Sequence, residues 1–188
     1  FRSPTNPPNN YSEEIAMPSL GNEKSVADTH VWLTPPHIIE ALGAFDLDPC
    51  ASVDRPWDTA LKHYTEEDDG YSKDWLGRVW MNPPYGPELD RWLHKLSSHG
   101  NGIALVFART ETRAFFRNVW ASETARGIMF LRGRLKFHKP DGTVGGTAGA
   151  PSCLIAYGDG NLQALRECEL DGVVLEIGTK DDLAYEWI

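Results

Sequence analysis

Apolar residues fall into short runs along the chain, separated by polar, proline-rich or glycine-rich segments. Two runs, 102–107 and 152–157, are apolar almost throughout, as in strands buried on both faces of a sheet. In 89–96 the apolar residues recur at intervals of three and four, which is typical of one face of a helix. The pattern predicts strands over 45–48, 78–81, 102–107, 128–131, 152–157 and 173–177. It predicts helices over 35–42, 87–96, 111–120 and 161–168.

Strands that alternate with helices in this way indicate an α/β fold built on an open sheet. The fully apolar runs favour a mostly parallel sheet with helices on both faces. Ligands bind such sheets beyond the carboxyl ends of the strands. Two predicted strands end at a polar residue followed by proline, at Asp48-Pro49 and at Asn82-Pro83. We therefore expect both strand ends to face one pocket.

The chain of 188 residues has room for one domain with a sizeable core. We place this domain at 29–188 and expect no separate recognition domain within it. Residues 1–28 are rich in proline and asparagine and have almost no apolar periodicity. For this reason we expect them to form a flexible N-terminal arm.

Local patterns predict the structure of four single segments. Thr34 precedes two prolines, so we expect its hydroxyl to cap a helix that Gly43 ends. Residues 50–75 are polar and predict irregular structure. The Lys-Pro-Asp-Gly sequence of 139–142 predicts a turn, and the glycines of 145–149 predict a mobile loop.

The composition argues against several classes of protein. A hydrophobic content of 41% and seven tryptophans are typical of a globular chain rather than a disordered one. No stretch has the pattern of a secretion signal or the length to cross a membrane. Cys50, Cys153 and Cys168 lack metal-site spacing, so we expect reduced thiols in a cytoplasm and no metal.

Positive charge is concentrated in one part of an otherwise acidic chain. The net charge is −9, yet residues 109–139 carry eight lysines and arginines against two glutamates, a local balance of +6. Clustered basic residues are the electrostatic signature of phosphate contacts, which favours a nucleic-acid partner. A solvated helix face would give the same pattern, and this alternative stays open at the level of charge alone.

The segment Asn82-Pro83-Pro84-Tyr85 carries the most specific chemistry in the sequence. Two prolines lack backbone N–H groups and fix φ, so they make a stiff bend that cannot continue the preceding strand. Such a bend holds the Asn82 amide oxygen and the Pro83 carbonyl as two acceptors for one exocyclic amine. Tyr85 adds a flat face on which a planar base can stack.

This tetrapeptide resembles the catalytic motif of methyltransferases that use S-adenosylmethionine to methylate amino groups. Four other segments occur in the order expected for one branch of that group: 32–35, 45–51, 69–70 and 133–137. Together they resemble the small DNA N6-adenine methyltransferases of bacteriophages, often called Dam-like. The resemblance covers residues 30–158 and implies a Rossmann-like methyltransferase sheet, base flipping in double-stranded DNA and a location in the host cytoplasm.

The resemblance also implies roles for individual residues. Asn82, Pro83, Pro84 and Tyr85 would be catalytic. The cofactor S-adenosylmethionine would be bound by Trp32, Thr34, Asp48, Pro49, Asp69 and Asn82, with Asp68 as the alternative to Asp69 for the cofactor's adenine amine. The DNA substrate would be bound by Tyr85, Arg109, Arg134, Lys136 and Phe137, with Phe137 on the face of the base opposite Tyr85.

Three other functions remain compatible with the same residues. Cytosine N4 is also an exocyclic amine and would suit the same two acceptors. A protein glutamine amide is a further acceptor, but it leaves the basic segment 109–139 without a partner. A DNA-binding module that has kept the fold and lost catalysis is the alternative from another class.

Overall fold

The computed structural model describes residues 31–178, so the predicted arm over 1–28 lies outside the described residues. Within the described range, α1 spans Pro36–Leu42, β1 Leu47–Asp48, β2 Lys62–His63, β3 Val79–Met81, α2 Leu89–His99, β4 Gly102–Phe107, α3 Arg113–Phe115, β5 Ala125–Leu131, β6 Lys136–His138, β7 Val144–Thr147, β8 Ser152–Tyr157, α4 Asp159–Glu167 and β9 Gly172–Glu176. A 3₁₀ turn at Glu66–Asp68 precedes β3, and α3 continues into a π-helical turn at Phe116–Trp120.

Seven of these strands form one sheet in the order β2-β1-β3-β4-β8-β5-β9. The pairs β1–β2, β1–β3 and β3–β4 are parallel, whereas β4–β8, β5–β8 and β5–β9 are antiparallel. The prediction of an α/β fold is confirmed, but the prediction of a mostly parallel sheet is wrong.

The antiparallel half of the sheet follows from how the chain connects β5 to β8. Parallel neighbours need a crossover that carries the chain back across the sheet, usually a helix. Between β5 and β8 the chain forms only the hairpin of β6 and β7. Ser152 at the start of β8 pairs with Phe107 at the end of β4, so β8 runs back along β4 in the opposite direction.

Helices cover both faces of the sheet, as predicted. Along β4, Ile103 and Leu105 pack in one buried cluster and Ala104 and Val106 in another. The first cluster includes residues of α1 and α4, and the second includes residues of α2 and α3. Alternate residues of a strand point to opposite faces, so the unbroken apolar run of β4 fills both cores.

The segment predicted as a mobile loop contains a strand. Val144–Thr147 pairs antiparallel with Lys136–His138, and the predicted Lys-Pro-Asp-Gly turn joins the two strands. Glycine is uncommon in strands, which explains the error. Here Gly145 lies so close to Trp32 that an added Cβ would come within 2.6 Å of the indole ring.

Two further local predictions need correction. The first helix begins at Pro36 with Pro35 at the N-cap and no side-chain cap, so Thr34 does not cap it. Thr34 is buried, and its carbonyl accepts a hydrogen bond from Trp57 Nε1. The polar segment 50–75 contains β2, which pairs with β1 and extends the sheet. The prediction that Gly43 ends the helix is confirmed, since its N–H bonds the Ile39 carbonyl.

Candidate active site

A cavity of about 610 Å³ lies at the edge of the sheet where β1 and β3 end. Its volume is typical of small-molecule sites. Segments 49–54 and 82–85, which follow the two strands, supply much of the wall. Pro49 and Asn82 therefore meet at one cavity, as the two strand ends predict. The remaining wall includes Trp32, Thr65, Glu66, Asp69, Gly70, Glu88, Arg91, Trp92 and Pro140.

Asn82 is held by its side-chain amide at the cavity edge. The preceding strand, β3, stops at Met81, because Pro83 and Pro84 have no N–H to donate to the sheet and cannot continue it. Asn82 Nδ2 donates to the Trp32 carbonyl at 3.0 Å, which fixes the orientation of the amide. Oδ1 is thereby left as an acceptor, and it accepts the Tyr85 hydroxyl at 3.3 Å.

Tyr85 stacks on Phe107, the last residue of β4. The ring centroids are 4.3 Å apart and the planes differ by 22°. Burial raises the pKa of the Tyr85 phenol, so the hydroxyl keeps its proton and acts as a donor. Tyr85 lines the cavity, whereas Phe107 lies behind it and does not.

Asp48 is buried at the end of β1, behind the cavity wall. Oδ1 accepts the Cys50 N–H at 3.0 Å and Oδ2 accepts the Thr59 hydroxyl at 2.5 Å. Burial raises the pKa of Asp48 to about 6, against the opposing effect of these hydrogen bonds. The carboxylate thus organises the loop that carries Pro49 and Cys50. Its direct contact with a cofactor stays a prediction, because Asp48 does not line the cavity.

Cys50 lines the cavity, and its thiol accepts a hydrogen bond from the Asn82 backbone N–H. Burial and the neighbouring Asp48 carboxylate raise the pKa of Cys50 well above its usual value. A thiol that resists ionisation is a poor nucleophile. The geometry therefore gives Cys50 a structural role between the ends of β1 and β3.

Asp68 and Asp69 differ in what their carboxylates can reach. Asp68 accepts hydrogen bonds from the Thr65 N–H and hydroxyl, which lower its pKa. Asp69 adopts φ = 50° and lines the cavity, whereas Asp68 does not. Which of the two binds the cofactor stays a prediction, and Asp69 remains the candidate because the carboxylate of Asp68 is occupied within the turn.

The charged residues of the cavity wall are mostly acidic. Asp54, Glu66, Asp69 and Glu88 line it, and its single arginine, Arg91, is ion-paired with Glu88. S-adenosylmethionine carries a sulfonium, an ammonium and a ribose diol, all of which suit carboxylate partners. The size and charge of the cavity thus fit this cofactor.

Comparison with known families identifies the chain. The model of the family described as DNA N-6-adenine-methyltransferase (Dam) matches residues 21–165. The protein belongs to this family. No curated protein and no solved structure matches the chain. Membership makes it an adenine-specific DNA methyltransferase by class and makes DNA its substrate.

The basic residues that a Dam-family enzyme would use for DNA do not form one patch. Arg117, Arg126 and Arg132 are ion-paired with aspartates at 2.9–3.1 Å. Arg126 also lies at the start of β5, whereas the hairpin and the end of β4 lie towards the opposite edge. Ion pairs therefore offset part of the net charge of +6 that residues 109–139 carry. The fold also divides the basic residues of this segment between two opposite edges of the sheet.

Five basic residues of that segment are exposed and have no ion-pair partner among residues 31–178. Arg109 follows β4, Arg113 begins α3 and Lys136 begins β6, and Lys139 lies in the turn of the hairpin beside Pro140 of the cavity wall. Arg134 is exposed too and donates to the Ala148 carbonyl at 3.0 Å. Arg109, Arg134 and Lys136 thus stay candidate phosphate contacts.

The structure places Phe137 in the core rather than beside Tyr85. Phe137 is buried in the cluster that α1 and α4 cover, and the ring against Tyr85 is Phe107. Sequence reasoning missed Phe107 because it ends an apolar strand and looks like any core residue. Its position directly after a buried run, at the carboxyl end of the strand, is the one signal that points to it.

No group of three or more His, Cys, Asp or Glu residues suited to a metal ion occurs within residues 31–178. Over the same residues, no helix is long and apolar enough to span a membrane.

Proposed function

We propose that this Dam-family protein transfers a methyl group from S-adenosylmethionine to the N6 amine of adenine in double-stranded DNA, at Asn82-Pro83-Pro84-Tyr85. The observation that carries the proposal is the fixed amide of Asn82. The Trp32 carbonyl orients it at 3.0 Å, so that Oδ1 is an acceptor in the wall of a cavity whose charged residues are mostly acidic. Membership of the Dam family indicates adenine as the base that accepts the methyl group.

Residues of the cavity wall would hold the cofactor. Asp69 would accept a hydrogen bond from an amine or the ribose diol, and Trp32 and Pro49 would line the site. Asp48 would hold the loop that carries Pro49 and Cys50 in place. Thr34 would act only indirectly, by holding the segment that carries Trp32, since Thr34 does not line the cavity. When bound, S-adenosylmethionine supplies a methyl group on a sulfonium that leaves as a neutral thioether.

The residues of the tetrapeptide would activate the amine by orientation. A base inside a duplex cannot bring its amine to the cavity, so the adenine must be flipped out. Asn82 Oδ1 and the Pro83 carbonyl would then accept the two N–H bonds, which directs the nitrogen lone pair away from the ring plane. Acceptors fixed in advance also stabilise the positive charge that develops on nitrogen. No general base is needed first, because the methylated ammonium loses its proton readily.

The distribution of charge supports a division between cofactor and DNA. The carboxylates lie inside the cavity, and Arg109, Arg134 and Lys136 lie outside it. Carboxylates suit a cationic cofactor, and exposed cations suit phosphates. A polyanion would be repelled from the cavity but attracted to its surroundings, which favours entry of a single flipped base.

The test is transfer of labelled methyl groups to unmethylated duplex DNA, followed by digestion to nucleosides. We expect label in N6-methyladenine with the wild-type protein and none with Asn82→Ala. Label in N4-methylcytosine would move the reaction to the alternative base. Cofactor binding without transfer to DNA would contradict the proposal and favour the non-catalytic or protein-directed alternatives.

A further inference from the structure

The Tyr85 side chain has both features by which a target base would be recognised. It is a planar ring stacked on Phe107 at 4.3 Å, and its edge carries a donor bonded to Asn82 Oδ1 at 3.3 Å. An adenine that gives its amine to the same oxygen presents the same combination of flat ring and edge donor. In this structure, therefore, Tyr85 occupies the positions of both the stacking contact and the hydrogen-bond donor.

We propose that Phe107 is a substrate-binding residue on which the flipped base stacks after it displaces Tyr85. This inference rests on the proposed function. The Trp32 carbonyl fixes the Asn82 amide, and Oδ1 now accepts the Tyr85 hydroxyl, so a base that takes over this hydrogen bond would take the place of the Tyr85 ring. The face of Phe107 borders that ring. Tyr85 would move aside and cover the other face of the base.

Gly86, directly after Tyr85, leaves room for this movement, whereas the sheet holds Phe107 in place. Gly86 follows Tyr85 with φ = 124°, a conformation open to glycine, and a Cβ added there would meet nothing within 4 Å. Phe107 ends a strand that is paired on both sides and registers with Ser152 of β8. The space for the base thus lies between Tyr85, which can move, and Phe107, which cannot.

Because Tyr85 fills the space that the base would take, the base must compete with it, and this competition affects specificity. A base must replace both the ring stack and the hydrogen bond of Tyr85, and only a planar group with an edge donor can do so. Thymine presents a carbonyl where adenine and cytosine present an amine, so it would leave Asn82 Oδ1 without a donor. Closure by Tyr85 therefore adds discrimination beyond the acceptor atoms alone.

The experiment compares Phe107→Leu with Phe130→Leu. Both phenylalanines are half-buried on strands of the same sheet, so the same truncation has similar effects on packing, but Phe130 is not stacked on Tyr85. Methylation is measured on a PCR-amplified, unmethylated duplex of mixed sequence. We expect kcat/KM for DNA to fall about tenfold in Phe107→Leu and less than about threefold in Phe130→Leu, with KM for S-adenosylmethionine unchanged in both.

Two further variants separate base stacking from mere support of Tyr85. Phe107→Tyr keeps an aromatic face and should recover most of the DNA kcat/KM. Tyr85→Phe removes the hydroxyl that competes for Asn82 Oδ1, so kcat/KM for DNA should rise by about two- to fivefold. If Tyr85 stayed in place during the reaction and its hydroxyl helped to hold Asn82, loss of the hydroxyl would instead lower this value.

Each outcome decides the inference. Equal effects of Phe107→Leu and Phe130→Leu, or a fall in kcat/KM for DNA in Tyr85→Phe, would overturn it. If the wild-type protein forms N6-methyladenine in the same assay, such a result overturns this inference and leaves the proposed function standing. Absence of transfer by the wild type would overturn the proposed function and the inference together.

Discussion

Asp48 is the residue through which pH acts most directly on the loop that carries Pro49 and Cys50 in the cavity wall. Burial raises its pKa from 3.8 to about 6. A carboxyl whose pKa is higher in the folded state favours folding when protonated, so its contribution is full below pH 3.8 and is lost as pH rises through 6. The shift corresponds to about 3 kcal/mol.

Comparison with Asp48→Asn isolates this effect, because the amide has a similar shape and does not titrate. We expect the free energy of unfolding of the wild type, relative to that of the variant, to fall by up to about 3 kcal/mol between pH 4 and pH 7. Urea denaturation at several pH values measures it. Parallel pH profiles of the two proteins would show that Asp48 titrates normally.

Asp69 and Asp68 form a natural pair for testing the cofactor site. Asp69 lines the cavity, whereas the carboxylate of Asp68 is bonded to Thr65. We expect Asp69→Asn to raise the Kd for S-adenosylmethionine at least about tenfold, since hydrogen bonds to charged groups are the stronger ones. Asp68→Asn should leave this Kd within about twofold. Isothermal titration measures both, and the reverse order would assign the role to Asp68.

At the residue scale the sequence predicts groups whose chemistry is local. Asn82, the two prolines and Tyr85 are contiguous, so their spacing alone indicates an acceptor site and a stacking face. The contacts that complete the site are remote in sequence: Trp32 orients Asn82 from 50 residues away, and Phe107 stacks on Tyr85 from another strand. Such partners depend on tertiary packing and leave no local pattern.

At the element scale the hairpin of β6 and β7 connects the cavity to the core. Pro140 in its turn lines the cavity, and Leu33 forms an isolated bridge with His138. The ring of Trp32 rests against Gly145 on β7. The hairpin thus holds Trp32, whose carbonyl orients Asn82, in place.

Gly145→Ala and Gly146→Ala test this role on adjacent residues. A Cβ at Gly145 would lie 2.6 Å from Trp32 and 2.8 Å from the Phe137 carbonyl, whereas one at Gly146 would meet nothing within 4 Å. We expect Gly145→Ala to reduce the free energy of unfolding by about 1–3 kcal/mol and to slow methyl transfer. Gly146→Ala should change stability by less than about 0.5 kcal/mol. Similar losses in both variants would contradict the packing of Trp32 on Gly145.

Strands with an unbroken apolar run are the elements that the sequence predicts best. The bounds of β4 and β8 agree with the prediction, because an apolar run on both faces of a sheet ends where the strand ends. The direction of β8 could not be predicted, since a buried strand has the same composition whether its neighbours are parallel or antiparallel. The two-residue strand β2 was missed because it is too short to show periodicity.

At the scale of the whole molecule, we expect DNA binding to depend on the basic residues that have no ion-pair partner among residues 31–178. Arg109 and Lys136 are exposed and belong to this group, whereas Arg126, at the start of β5, is paired with Asp159. We expect Arg109→Ala and Lys136→Ala each to reduce the slope of log K against log salt concentration by about 0.9. Arg126→Ala should leave the slope unchanged. Fluorescence anisotropy across a salt series measures it, and equal slopes in all three variants would place the DNA elsewhere.

The central claim is that Asn82 acts chiefly on the reacting amine, so that any contact it makes with the cofactor contributes little to cofactor binding. Single-turnover methyl transfer to unmethylated duplex DNA, with both substrates saturating, tests it most directly in the wild type and in Asn82→Ala. We predict a fall of about 100- to 1,000-fold in the transfer rate with the Kd for S-adenosylmethionine within about threefold, since the acceptor is fixed in advance where charge develops. A transfer rate within tenfold of the wild type would contradict the account.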